Sequence, residues 1–570
     1  MLAAALVFSQ ATTASPVIID TGRLEGTTTH GLVIYKGVPF AAPPVGELRW
    51  REPQPVQPWK GIRSANEFAP ACMQNTVSMP GEAPPPTDED CLYLNIWAPA
   101  SGGRSLPVFV WIYGGGYNSG SASMPLYWGD QLARRGVIVV TIAYRVGPLG
   151  YLAHPSLTQE SSHHTSGNYG LMDQIAALQW VQTNIHAFGG DRRRVTIAGQ
   201  SAGSMAVSML MASPRAKGLF QRAIGQSGGL FEPLQLAPFY LLANAEHDGE
   251  QYAATLGAKS IEDLRRLPAK DLMTGAAGHI THPVIEPYTL PASPYDVFTN
   301  GRQNDVPLLL GSNAEEARAL VDVSSVRAAT FESELHDAFG PVISPEAMAA
   351  YPHRTDEEAK AARLDIERDI RFGWDMWCWA RLQAVTGREP VYYYYFTQKP
   401  PFPANSTYAA WGASHYAELW YMFDHLSQEP WQWTAADKRL ADEMTTYWVN
   451  FVRTGNPNSS NLPEWTPYTR AHPSVAYLGT PITFGPRDHI EQLQAIDAAY
   501  EGLRKSPYPK LGTRNSVSVC TAGTRITCAA SSMSSASKRS VVANGTRVRS
   551  TSSACCSEGD VFRGLRKSSP

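Results

Sequence analysis

Gly199-Gln200-Ser201-Ala202-Gly203 is a G-x-S-x-G segment set between a β-branched run, Val195 to Ala198, and a helical stretch opening at Ala202. Strand, sharp turn and helix in that order lift a serine hydroxyl above a sheet, at the N-terminus of a helix. The motif is common by chance, and its place between strand and helix gives it weight. A serine hydroxyl is a weak nucleophile at neutral pH and needs a base, which in turn needs an acid to orient it. On such a sheet the acid follows the serine and the histidine comes last.

The strand-like run Val306 to Leu310 leads directly into Gly311-Ser312-Asn313-Ala314-Glu315-Glu316, so Glu315 or Glu316 can serve as the acid. Without a partner, either would be an ordinary solvated glutamate at a helix start. Downstream, Gly412-Ala413-Ser414-His415-Tyr416-Ala417-Glu418-Leu419 places His415 in a small-residue loop beyond VYYYYF. His425 is the second candidate. His154, His163 and His164 precede the serine and fit the order badly, and none belongs to a metal-ligand pattern. The oxyanion of an acyl-transfer intermediate requires preorganised N–H donors. Gly114-Gly115-Gly116, after the apolar run LPVFVWIY, lets backbone approach a substrate unobstructed, and the N–H of Ala202 adds a third donor.

These residues need a sheet to carry them. Leu106 to Tyr113, Val137 to Ala143, Val195 to Ala198, Val306 to Leu310 and Val391 to Phe396 read as buried strands. Gly170 to Ile185 reads as a helix with Leu171, Ile175, Leu178 and Val181 on its apolar face, and Asp437 to Arg453 as a late helix stopped by Gly455 and Pro457. Strands alternating with helices predict an α/β protein with a mostly parallel sheet.

The chain has 570 residues, 43% hydrophobic, enough for a large core, and a net charge of −3 that excludes recruitment of nucleic acid by bulk charge. Residues 505–570 carry 11 Lys/Arg and 2 Asp/Glu, a net of +9, so the remainder carries −3 − 9 = −12. That Ser/Thr-rich end is expected to be a disordered basic tail, with a basic interaction segment and a frameshifted end as alternatives, and no function is assigned to it or to its Cys520, Cys528, Cys555 and Cys556. Residues 1–14 are expected to be an export signal, with an apolar Leu2 to Phe8 but no positive start. No apolar run reaches the roughly 20 residues that cross a bilayer. Cys72 and Cys91 are the disulfide candidates, worth roughly 3 kcal/mol by loop closure, and Cys378 is expected to be a buried thiol among tryptophans. Asn405, Asn458 and Asn544 are sequons that matter only in a secreted eukaryotic chain.

Taken together, these segments resemble the type-B carboxylesterase/lipase family, which includes the cholinesterases. The resemblance rests also on YKGVPFAAPPVGELRW, EDCLYLNIW, GNYGLMDQIAALQWVQTNIHAFGGD and FVRTGNPN, and runs from about Val17 to about Gly485. It implies the α/β-hydrolase fold, a large central mostly parallel sheet flanked by helices, over 15–504. Position by position it implies Ser201 as nucleophile, His415 as base, Glu316 rather than Glu315 as acid, and Gly115, Gly116 and Ala202 as oxyanion donors. It pairs Cys72 with Cys91 and makes Ser227 a supporting serine. No cofactor or metal is implied, and the partner is a small ester.

Two departures narrow the expectation. The residue before the nucleophile is usually Glu in the family and is Gln200 here. The Cys72–Cys91 loop has no aromatic residue to stack on a quaternary ammonium. Both argue against a cholinesterase. That loop is also short and rich in Pro, Glu and Asp, which favours soluble short- to medium-chain esters over the long-chain acylglycerols of a lipase. A non-catalytic adhesion role of the fold is disfavoured because serine, acid, histidine and glycine run are all present. The wording is nearest to bacterial and fungal carboxylesterases of the p-nitrobenzyl esterase type, and esterases acting on fumonisin-like toxins share segments such as GSNAEEARAL and YLAHPSLTQES.

Overall fold

Apolar runs flanked by glycine and proline pair here into one sheet of twelve strands. In chain order they are β1 (Thr12–Thr13), β2 (Thr27–Thr29), β3 (Leu32–Pro39), β4 (Tyr93–Pro99), β5 (Leu106–Ile112), β6 (Ile138–Ile142), β7 (Gly190–Gln200), β8 (Arg222–Gln226), β9 (Leu308–Asn313), β10 (Val391–Phe396), β11 (Ser474–Leu478) and β12 (Thr483–Pro486). The spatial order is β1-β2-β3-β4-β6-β5-β7-β8-β9-β10-β11-β12. From β6 to β11 neighbours run parallel, while β1 to β4 and β12 add antiparallel edges. The computed structural model describes residues 11–75, 85–274 and 280–507.

Parallel strands are covered on both faces, so their residues are apolar throughout rather than alternating. Val108 to Ile112 of β5 and Ile138 to Val140 of β6 are fully buried. The covering helices include α1 (Tyr169–Asn184), α2 (Ala202–Ala212), α3 (Asp356–Arg368), α4 (Trp374–Thr386) and α5 (Ala435–Thr454). The α1 helix shows more than the single apolar face expected of it, because Tyr169 to Ile175 are buried without a break. Its Asp173 lies at 0% exposure and is gripped by Arg145 through Nε at 2.8 Å and Nη2 at 2.7 Å. Burying a carboxylate requires such a partner. The α5 helix ends where expected, at Gly455 with φ +81°, the left-handed stop that glycine supplies without strain.

Differences at the margins are informative. The strand expected to start at Val306 begins at Leu308 and continues to Asn313, since its pairing with β10 extends to Phe396. The expected boundary at residue 14 falls inside the sheet, where Thr12 and Thr13 pair with Thr28 and Thr27 and the Ala14 N–H reaches the Gly26 carbonyl. Residues 1–10 of the expected signal, 508–570 of the expected tail with its four cysteines and Asn544, and 76–84 of the Cys72–Cys91 loop lie outside the described residues.

The Cys72–Cys91 disulfide is formed, and Cys378 is a free, buried thiol that burial pushes up to about 12. Asn458 spends its amide on the Trp465 backbone, whereas Asn405 is exposed. Among the described residues, no helix is long and apolar enough to cross a membrane.

Candidate active site

At the C-terminal end of β7 the chain reverses into α2 through Ser201, at φ 57° and ψ −128°. That region is costly for a residue with a side chain and persists only where the surroundings impose it. Two imposing contacts are backbone ones. The Ser201 N–H donates to the Gln226 carbonyl at 2.8 Å, and the Ser201 carbonyl accepts from the Met205 N–H at 2.9 Å. The motif glycines are there for space: a Cβ on Gly199 would meet the Gly203 carbonyl at 2.3 Å, and one on Gly203 would meet the Ile112 carbonyl at 2.0 Å.

The end of β9 brings Glu316 to the loop that follows β10. His415 Nδ1 lies 2.6 Å from Glu316 Oε2, and neither side chain has any exposed surface. The other oxygen, Oε1, accepts the Asn313 N–H at 2.7 Å. A carboxylate only accepts, so Nδ1 carries the ring proton and Nε2 is left with its lone pair. Glu315 turns elsewhere, to Arg318 at 3.0 Å, Lys399 at 3.1 Å and the Ala413 N–H at 2.9 Å. His425 is held by the Leu126 carbonyl and Asp130, each at 2.9 Å, far along the fold from Glu316 in its partners.

Gly115 and Gly116 have φ of +113° and +61°. The Gly115 carbonyl is tied down by the N–H groups of Asn118 at 3.1 Å and Ser119 at 3.2 Å. Among the described residues no protein acceptor takes the N–H groups of Gly115, Gly116 or Ala202, the last being the first residue of α2. Donors held by fixed backbone and left open are what a developing oxyanion needs. Ser227 is buried at φ 53° with its N–H on the Gly311 carbonyl at 2.8 Å, but its hydroxyl finds no hydrogen-bond partner.

A family model described as the carboxylesterase family matches residues 13–494. The chain belongs to the carboxylesterase family. It is 37% identical over 497 residues to the fumonisin B1 esterase of Sphingopyxis macrogoltabida, covering 82% of this chain and 88% of that one. It is 32% identical over 516 residues to the para-nitrobenzyl esterase of Bacillus subtilis (strain 168), covering 84% and 98%. A solved PNB esterase superposes with a TM-score of 0.73 at 32% identity, over 84% of this chain and 99% of that one. The protein is a carboxylic ester hydrolase with the α/β-hydrolase fold.

In this carboxylesterase the sequence motifs left several site residues unremarked. Glu418, one turn past His415, is fully buried and accepts from Gln226 Nε2 at 3.2 Å and Asn313 Nδ2 at 2.5 Å. Gln226 is fixed in turn by Trp448 Nε1 at 3.1 Å. Burial, and then the neighbouring Glu316 charge, push Glu418 up to about 7. That carboxyl therefore holds its proton more readily than an ordinary glutamate does. The signal was the HYAEL spacing, which puts Glu418 three residues after His415.

Gln200 is fully buried, with its Nε2 3.2 Å from His415 Nε2 and 3.5 Å from Nδ1. With Nδ1 committed to Glu316, Nε2 is the ring nitrogen that accepts from the Gln200 amide. Ser201 Oγ makes no hydrogen bond among the described residues, so it is Gln200 rather than Ser201 that meets Nε2.

Proposed function

We propose that Ser201 is the nucleophile, His415 the base and Glu316 the acid of a two-step acyl transfer on soluble short- to medium-chain esters. The observation that carries the reading is the buried 2.6 Å contact between His415 Nδ1 and Glu316 Oε2, with Gln200, the residue before the strained Ser201 turn, 3.2 Å from His415 Nε2. Ser201 Oγ attacks the ester carbonyl while its proton passes to His415 Nε2. The Gly115, Gly116 and Ala202 N–H groups hold the oxyanion. The alcohol departs with the proton from Nε2 and leaves an acyl-serine. Water then attacks the acyl group, again losing a proton to Nε2, and Ser201 is regenerated. Glu316 fixes the ring tautomer and stabilises the imidazolium formed in each half.

The short-ester preference is supported by the composition of the Cys72–Cys91 loop and by the para-nitrobenzyl esterase relative. A disulfide between Cys72 and Cys91 favours an oxidising compartment, and we propose that the chain is exported.

The test is hydrolysis of p-nitrophenyl acetate, butyrate and palmitate by the purified protein beside Ser201→Ala. Fast turnover of acetate and butyrate, lost by about 10³-fold or more in the variant, is expected. Comparable turnover in Ser201→Ala would remove Ser201 from the mechanism. A preference for emulsified palmitate would overturn the substrate class.

A further inference from the structure

Helix α3 and helix α4 are one continuous rod joined by a five-residue π-turn, Asp369–Gly373. A π-turn inserts one residue into the helical repeat, which swings the following side chains by about 100° relative to an unbroken α-helix. Here the turn carries ion pairs made within the rod and one hydroxyl contact from outside it. Asp369, fully buried, accepts from Arg368 through Nε and Nη2 at 2.8 Å each and from the Tyr351 hydroxyl at 3.0 Å. Arg371 Nε donates to Glu367 Oε2 at 2.6 Å, and Arg363 reaches the other oxygen of Glu367. With Asp369 and Arg371 committed to that cluster, Phe372 is turned toward the active site. Its ring lies 4.5 Å from the His415 ring, centroid to centroid, at an interplanar angle of 22°, and Phe372 is fully buried.

Three other groups meet the buried imidazole. Glu316 grips one edge at Nδ1, the Gln200 amide stands 3.2 Å from Nε2, and Tyr416 meets the ring edge-on at 4.7 Å and 72°. The two polar contacts fix points on the ring but leave the tilt of its plane open. A flat apolar surface parallel to it removes that freedom. An aromatic face also carries negative charge density and attracts a stacked cation.

We propose that Phe372 is a positioning residue for the reaction, placed by the π-turn to fix the plane of His415 and to stabilise the imidazolium formed at each proton transfer. The inference rests on His415 being the base. The charged and titratable groups that face His415 are Glu316 and Glu418, together with the Tyr416 hydroxyl. On the π-turn side stand Asp369 and Arg368, which neutralise each other. None of these is changed by substitution at Phe372.

The experiment compares wild type with Phe372→Leu and Phe372→Met, the second keeping volume without an aromatic face, and with Phe372→Tyr as the conservative variant. Unfolding temperatures are recorded for each, and kcat, KM and the pH profile of kcat/KM are measured on p-nitrophenyl butyrate. His415→Ala is assayed alongside. The expected result is a kcat lower by about 10- to 100-fold in the Leu and Met variants with KM within about twofold. Their acid limb should move down by about half a pH unit, the worth of one cation–π contact. Phe372→Tyr should restore kcat and place the acid limb slightly above that of wild type.

A folded Leu or Met variant with wild-type kcat and an unmoved acid limb overturns the proposal, and so does a uniform loss that Tyr fails to restore. If His415→Ala retains activity, the assignment of the base falls instead. Should neither aliphatic variant fold, wild type and Phe372→Tyr are compared by the titration of the His415 ring in NMR. An electron-richer phenol ring moves that titration upward if the stack stabilises the imidazolium, and identical titrations overturn the proposal.

Discussion

At the scale of single residues, two carboxyl groups share one buried neighbourhood and differ in their partners. Glu316 is paired with His415, whereas Glu418 is held by neutral amides and pushed up to about 7, first by burial and then by Glu316. Its folded value lies above the ordinary carboxyl value, so between about pH 4.5 and 7 the native state retains a proton that the unfolded state has released. A state that binds more protons loses stability as pH rises. The Glu418 contribution is therefore fully present below about pH 4.5 and is lost as pH passes 7, a change of about 3 kcal/mol. Glu418→Gln, which is neutral at every pH, should flatten that slope. Urea unfolding of both proteins at several values between pH 4.5 and 8 reads it directly, and parallel stability curves would contradict the raised Glu418 value. None of this was legible in the sequence. HYAEL gave the spacing of Glu418 from His415, but its burial depends on Asn313 and Gln226 arriving from β9 and β8, more than a hundred residues away.

At the scale of elements, the strand–turn–helix around Ser201 was legible because its constraints are local: a β-branched run, two glycines and a helix start. The reason Gly203 is a glycine is not local, since a Cβ there would stand 2.0 Å from the carbonyl of Ile112 on the neighbouring strand β5. Backbone cannot yield as a side-chain tip can. Gly203→Ala should therefore separate β5 from the start of α2, moving the Ala202 N–H away from the Gly115 and Gly116 pair. Loss of one oxyanion donor costs about 10²- to 10³-fold in kcat. A loss of at least that size is expected, with a lowered unfolding temperature, and wild-type kcat in the variant would show that the turn can relax. The π-turn is the opposite case. Asp-Ile-Arg-Phe-Gly carries no local mark of an extra residue, and the ion pairs of Asp369 and Arg371 that accompany it are seen only in the fold. Glu316 stands between these cases. The residues alone left Glu315 and Glu316 equal, the family resemblance chose Glu316, and the geometry shows Glu315 engaged by Arg318 and Lys399.

At the scale of the whole chain, the question is where the functional unit stops. The family match ends at 494, but the last described helix runs from Ile490 to Arg504 and is not an appendage. Leu493 and Ile496 are fully buried, and Tyr500 packs edge-on against Trp374 at 4.5 Å. Asp497 binds Arg381 through both oxygens, at 2.7 and 2.8 Å, and Arg504 donates to the Phe231 carbonyl at 2.6 Å. These contacts clamp α4, and with it the Phe372 turn, from outside. A chain cut after Pro507 should therefore keep the full kcat/KM and unfolding temperature on p-nitrophenyl butyrate, because every contact named here is retained. A chain cut after His489 loses three buried apolar side chains, each worth about 2 kcal/mol, together with the Asp497–Arg381 pair. It should unfold many degrees earlier or fail to fold. Activity lost in the longer truncation would assign the basic tail a role in the catalytic unit. Full stability in the shorter one would mean that α4 does not depend on its outer clamp.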